Sequence, residues 1–351
     1  MHPTLHTELC ELLGVQYPIV QTGMGWVAGT RLTTATSNAG GFGILAGATM
    51  TFDQLRDAIR DVKERTDKPF GVNLRADAPD VEERIDVLIA ERVRLASFAS
   101  PPSEHLVKKV KDAGLLVVPT VGAQRHAEKV AALGVDAMIA QGAEGGGHTG
   151  VVPTTLLVPQ VVDVTDVPVI AAGGFFDGRG LVAALAYGAA GIAMGTRFLL
   201  TRESRVPDVV KQVYLGTPVT GTVVTRAIDG APQRVIRTDV VDHLEGAGRI
   251  TALPRAVRNA LRFRKLTGTT LRALLQEGLA MKRSQGLTWG QMIMAANAPM
   301  LTKATMVDGH LETGILPTGM GVGVIDELPT VAELIERIIH EAEAVLKRLG
   351  A

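Results

Sequence analysis

Eight short apolar runs recur through the first two hundred residues, separated by longer amphipathic stretches. They are PIVQTGM (18–24), GFGILAGA (41–48), PFGVNLRA (69–76), VRLASFAS (93–100), LLVVPTVG (115–122), AMIAQG (137–142), VPVIAAGG (167–174) and GIAMGTRF (191–198). Each is nearly continuous in Val, Ile, Ala or Leu. Runs without alternation belong to parallel strands buried on both faces. The segments between them, such as 51–66, 81–93, 103–114 and 124–134, carry apolar residues at i, i+3 and i+4 and charges on the other face. Gly114 and Gly134 stand where helix C-caps are expected. Strand–helix units recurring about every 25 residues predict an α/β fold, a (β/α)8 TIM barrel. A doubly wound sheet is the rival, but it more often has five or six strands.

The barrel is expected within 15–200. An inserted, mainly helical cap subdomain is expected over 201–325. The amphipathic segment within 326–351 then completes the outer ring of helices. The run 181–196 has no charge, but it is too short for a membrane span and glycine interrupts it. It reads as a buried helix followed by a buried strand.

Composition narrows the function classes. Basic and acidic residues balance at 36 each, which excludes a chain-wide basic field and, with it, nucleic acid as the expected partner. One cysteine, Cys10, excludes an internal disulfide framework and a multi-cysteine zinc site, so no metal is expected. It suits a reducing compartment. Residues 1–11 carry His and Glu with no apolar core, so no secretory signal is read there. The expectation is a cytoplasmic protein that does not enter a membrane. A homodimer is the base-rate expectation for the assembly.

Glycine is 39 of 351 residues, and much of it lies where barrel strands end. In a barrel, chemistry sits on the loops at the carboxyl ends of the strands, and the last two loops commonly hold phosphate. Gly173 and Gly174 follow the seventh run, and Gly195 and Thr196 follow the eighth. Bare backbone N–H groups there can approach an anion, and Thr196 adds a hydroxyl donor. The bland alternative is that these glycines only make tight turns. After the sixth run comes QGAEGGGHTG (141–150), in which Gly145, Gly146 and Gly147 precede His148. A histidine on such a loop is a candidate general acid or base. Glu144 is a weaker second candidate. Asn73 and Gln141 are amides at strand ends that need partners, from a planar ligand edge or from neighbouring backbone. Gly23 and Met24 end the first run, where a flexible apolar side chain can lie against a flat ring.

Taken jointly, PIVQTGMG, GGFGILAGA, GVNLRA, the Gln-Gly-x-Glu-x-Gly-Gly-His loop, AAGGF and MGTRF resemble the nitronate monooxygenase family, with FMN-dependent enoyl-thioester reductases as close relatives. The resemblance runs from Pro18 to Arg197 and returns at 309–328. It implies a flavin-binding barrel with FMN as cofactor. The backbone at Gly23 and Met24 would face the isoalloxazine. Asn73 and Gln141 would bond its ring or ribityl chain. Gly146, Gly147, Gly173, Gly174, Gly195 and Thr196 would hold the phosphate and ribityl region, and His148 would be the acid or base. Gly145 stands where the family often has Ala. In 308–325, His310 and Met320 replace the Asp and Gln of the enoyl-thioester reductases.

The resemblance leaves the substrate open among nitronates, quinones and thioesters, all served by one flavin. The chain also resembles an actinobacterial branch linked to CoA-dependent breakdown of steroid rings, which implies a hydroxylated bicyclic acyl-CoA. From Glu245 to Arg283 nine basic residues, Arg258 and Arg262 among them, face only Glu245 and Glu277. Such a stretch suits a polyphosphate tail, that of CoA or of NAD(P)H or NAD(P)+ as redox partner. The alternative is a solvated helix face. Two non-flavin readings remain as rivals. A barrel like the inosine monophosphate dehydrogenases needs a cysteine in an active-site loop, and Cys10 precedes the first strand. A non-catalytic nucleotide-binding barrel is the other.

Overall fold

The computed structural model describes residues 1–246 and 300–350. Arg258 and Arg262, with the other basic residues of 245–283, lie outside the described residues. The first half runs α1 (Glu8–Leu13), β1 (Ile19–Gln21), α2 (Thr30–Asn38), β2 (Phe42–Leu45), α3 (Phe52–Arg65), β3 (Phe70–Leu74), α4 (Val81–Ala90), β4 (Leu95–Phe98), α5 (Glu104–Asp112), β5 (Leu116–Val121) and α6 (Gln124–Ala131). It continues through β6 (Met138–Gln141), β7 (Gly147–His148), α7 (Thr154–Val162), β8 (Val169–Ala172), α8 (Gly178–Ala186), β9 (Gly191–Met194), α9 (Thr196–Leu199) and α10 (Asp208–Leu215). Then come β10 (Thr222–Thr225), β11 (Gln233–Ile236), α11 (Asp239–Gly246) and a C-terminal helix, Val331–Leu349.

Eight parallel strands close in the order β1-β2-β3-β4-β5-β6-β8-β9, and β1 meets β9 with Gln21 opposite Met194. Each expected strand is present. Side chains alternate along them between two cores. Val20, Phe42, Ile44, Leu95, Val118, Ile139 and Ile170 fill the barrel interior, joined by Leu9 and Leu13 of α1. Ile19, Val72, Val117, Met138, Ala171 and Ile192 face the helices. Hence α1, which the periodicity did not single out, plugs the amino-terminal end. A Cβ on Gly191 would stand 2.7 Å from the Leu9 side chain. By the same alternation Gln141 shares the inner face of Ile139, above the packed layers.

The helices form where the apolar spacing places them. In α3, Leu55, Ile59 and Val62 are buried on one face, and a Thr51–Gln54 capping box fixes its start. Gly114 and Gly134 have φ of +79° and +73°, suited to the ends of α5 and α6. No helix among the described residues is long and apolar enough to cross a membrane.

Between β9 and the C-terminal helix the described chain is not only helical. β10 and β11 form an antiparallel pair, and β7 from the barrel's sixth loop joins as a third strand. Four-residue strands with one half-exposed face are too short for a periodicity signal, which is why a mainly helical segment was expected. Ile228, Val235, Val241 and Ile315 give this region its own small core.

The C-terminal helix returns to the barrel and packs on α8 and α2. Its own capping box pairs Thr330 with Glu333, and Val331, Leu334, Ile335, Ile338, Ile339, Ala342 and Leu346 are buried. Contact with α8 is backbone-close at Gly178, where a Cβ would stand 2.4 Å from the Ala342 nitrogen and the Ile338 carbonyl oxygen. Gly178→Val is therefore expected to destabilise the fold by about 1–3 kcal/mol through overpacking, checked by denaturant unfolding.

Candidate active site

β8 and β9 end side by side, Ala172 opposite Ala193. Gly173 and Gly174 follow with φ of +100° and +83°, a conformation that costs glycine little. Gly195 precedes the short α9, whose first residue is Thr196 and which has no side-chain cap. The Thr196 hydroxyl oxygen accepts from the Gly319 N–H at 2.9 Å. A Cβ on Gly146 would lie 2.5 Å from the Gly319 nitrogen and the Thr318 carbonyl carbon. Met320 N–H also donates to the Glu144 carbonyl at 3.0 Å. Residues 318–320 thus lock the glycine loop against the end of β9, which accounts for the late segment's place among the motifs. Arg197 is buried and donates to the Leu200 and Glu327 carbonyls at 2.8 and 3.1 Å. Burial pulls its pKa down to about 10.

Across the mouth, a Cβ on Gly23 would stand 2.3 Å from Asn73 Cβ, so the bare Gly23 backbone makes room for that amide. Met24 lies under the same end of β9, its sulfur 3.4 Å from where a Gly195 Cβ would be. Asn73 is 8% exposed, and its side chain bonds to none of the described residues. Gln21, fully buried, donates to the Ile44 carbonyl at 3.0 Å and to the Thr22 carbonyl, while its Oε1 has no partner among the described residues. Asn73 follows Val72 and so faces the barrel interior; a buried amide left unpaired costs about 1–3 kcal/mol, and its position at the mouth favours a ligand that completes it. Gln21 was not singled out in the sequence, where it looked like ordinary strand. Trp26, in the same loop, has a φ of +64°, a strained value for an aromatic residue.

Gln141 spends its amide locally, Nε2 donating to the His148 carbonyl at 2.8 Å. Glu144 caps α7 by accepting the Thr154 N–H at 2.9 Å and the Thr154 hydroxyl at 2.6 Å. That leaves it a structural carboxylate. His148 sits in β7, opposite Gln233 of β11. Its side chain is 65% exposed, and Nε2 lies 2.8 Å from Oδ2 of Asp229, which is 19% exposed. Asp229 also accepts from the Gln233 amide and, at 3.1 Å, from Ala231 N–H. Burial pushes the Asp229 carboxyl up. The His148 hydrogen bond and charge, aided by Ala231 and Gln233, outweigh it and hold the group below its ordinary value. A second ion pair stands near. Arg75 donates to Asp77 at 2.8 Å, and His148 helps to depress the Asp77 carboxyl, after Arg75. Asp229 and Gln233 were missed in the sequence. The only local signal was the Asp-Gly pair at 229–230, which reads as a turn.

These features define a barrel with a bare-backbone cradle and one exposed imidazole at its mouth. The nitronate monooxygenase family model matches residues 6–87 and 80–341. The chain belongs to the nitronate monooxygenase family and is an oxidoreductase that uses a flavin and a small-molecule substrate. It is 58% identical over 348 residues to a Rhodococcus jostii protein and 56% identical over 350 residues to one from Mycobacterium tuberculosis, covering 99% of both chains in each case. Both relatives are named (3aS,4S,5R,7aS)-5-hydroxy-7a-methyl-1-oxo-octahydro-1H-indene-4-carboxyl-CoA dehydrogenase. A probable nitronate monooxygenase of Staphylococcus aureus is 33% identical over 68% of this chain and 80% of that one. Among solved structures, FabK from Thermotoga maritima superposes with a TM-score of 0.80 at 34% identity, covering 98% of each chain. Nitroalkane oxidase from Streptomyces ansochromogenes gives 0.76 at 27% identity, covering 97% of this chain and 99% of that one.

The residues fit a flavin. The Asn73 side chain bonds to none of the described residues, and a Cβ on Gly174 would meet only the Glu144 side chain, at 3.6 Å. Gly146→Ala is expected to push residues 318–320 away and loosen the Thr196–Gly319 bond. The checking measurement is flavin content after purification, which should fall well below that of the wild type.

Proposed function

We propose that this chain is an FMN-dependent dehydrogenase of a hydroxylated bicyclic acyl-CoA. What carries the reading is end-to-end identity above one half with two relatives of that name, on a barrel whose mouth presents one hydrogen-bonded imidazole. Their substrate name places a hydroxyl on the ring carbon next to the one bearing the thioester. Dehydrogenation of this carbon acid removes one hydrogen as a proton and a second with its electron pair. Bound FMN supplies the two-electron acceptor, and the redox partner in this reading is a nicotinamide nucleotide, NAD(P)+ or NAD(P)H.

In this reading the chain's own groups divide the remaining work. Gly173, Gly174, Gly195 and Thr196 hold the phosphate with backbone N–H groups and a hydroxyl. Gly146 and Gly147 carry the loop past the ribityl region, and Asn73 and Gln141 flank the ring and chain. Gly23 and Met24 give the ring a flat, apolar seat. His148 takes the proton from the substrate and returns it to solvent, for which its exposed edge is suited. A nitronate reading rests on the family model and on more distant relatives, at 33% identity and below.

Anaerobic stopped-flow mixing separates the two. The 5-hydroxy bicyclic acyl-CoA is expected to bleach the flavin rapidly and propyl nitronate slowly or not at all; the reverse order would favour the nitronate. His148→Gln is expected to keep the flavin and slow bleaching by about 10² to 10⁴-fold, the usual span for a lost acid or base.

A further inference from the structure

We infer that Asp229 is a positioning residue that fixes the tautomer of His148, so that Nδ1 is the atom that takes the substrate proton. The inference rests on the reading of His148 as the acid or base. An ionised carboxylate only accepts hydrogen bonds. The 2.8 Å contact between Asp229 Oδ2 and His148 Nε2 therefore places the hydrogen on Nε2, directed at the carboxylate, the shorter of its two contacts, and not shared with the Gln233 amide nitrogen 3.2 Å away. The neutral imidazole then carries its lone pair on Nδ1, which bonds to no group among the described residues and belongs to a side chain that is 65% exposed.

Asp229 is itself held from three sides. Ala231 N–H takes one oxygen, the Gln233 amide and His148 share the other, and Ile228 beside it is buried in the insertion's core. Gln233 does double duty. Its amide reaches Asp229, and its backbone pairs with that of His148. One residue thus sets both the backbone and the ring partner of the imidazole.

The surrounding charge supports the same role. Arg75 and Asp77 neutralise each other, so the cluster with neutral imidazole carries one net negative charge, that of Asp229. Proton uptake at Nδ1 brings that sum to zero. The step balances simply. A new N–H bond forms at Nδ1, and the substrate bond to that hydrogen breaks with its electron pair left on the substrate. The Nε2–H bond to Asp229 persists, and no proton passes to the carboxylate.

The test has two arms. The first is nitrogen NMR of the flavin-loaded full-length protein labelled at histidine, with His148→Gln to assign the signal. The expected result is the Nε2–H tautomer in the wild type and loss of that preference in Asp229→Asn. A wild-type His148 in the Nδ1–H form would overturn the inference, whether or not any variant folds. The second arm is flavin bleaching by the acyl-CoA at varied concentration. Asp229→Asn is expected to lower the limiting rate about a hundredfold or more, with the half-saturating concentration moved less than about threefold. Asp229→Glu should restore part of it. The double variant with His148→Gln should be no slower than His148→Gln alone, because the two act as one unit. A normal rate in Asp229→Asn beside a slow His148→Gln would overturn the role of Asp229 and leave His148 standing. A normal rate in His148→Gln would instead remove the reading on which the inference rests.

Discussion

The pairing of Gly147–His148 with Gln233–Arg234 is the contact on which the site depends. A loop with three consecutive glycines loses much backbone entropy when it is ordered. Two residues of antiparallel sheet help to offset that loss. Arg234 adds to it by donating to the Ala143 carbonyl at 3.0 Å, and Thr149 N–H donates to Pro232 at 3.1 Å. The loop comes from the barrel and its partner strand from the insertion. Neither part alone presents the imidazole in a defined direction.

Much of the barrel was legible because its signal is repeated. Eight apolar runs and the helices between them each carry the same pattern, so an error in one would not change the architecture. The insertion lacked that redundancy. β10 and β11 are four residues each, and their strand character comes from pairing with one another and with β7, a relation no short window contains. The plug α1 was missed for a related reason. Its six residues show two buried leucines but no second turn of periodicity.

The site divides along the same line. Residues marked by composition, such as Gly173, Gly174 and His148, could be named from the chain alone. Asp229 and Gln233 could not, because they act through distances across 81 and 85 residues of sequence. The motif glycines also turn out to serve different ends. Gly173 and Gly174 are required by backbone conformation. Gly23 and Gly146 are required by what presses against them, the Asn73 side chain in one case and the 318–319 backbone in the other. One letter in the sequence conceals both causes.

The C-terminal helix occupies the outer-ring position that follows β9, yet more than a hundred residues separate the two. Such a detour costs little in equilibrium terms, since each doubling of a loop adds only about 0.6 kcal/mol. Its effect is on the order of assembly. During synthesis the barrel strands emerge first, and the groove between α8 and α2 stays uncovered while the whole insertion is made. That groove exposes apolar surface until Ile338 and Ala342 arrive. The nascent chain therefore passes through a long interval with an unfinished wall, the stage at which a chaperone would be most useful.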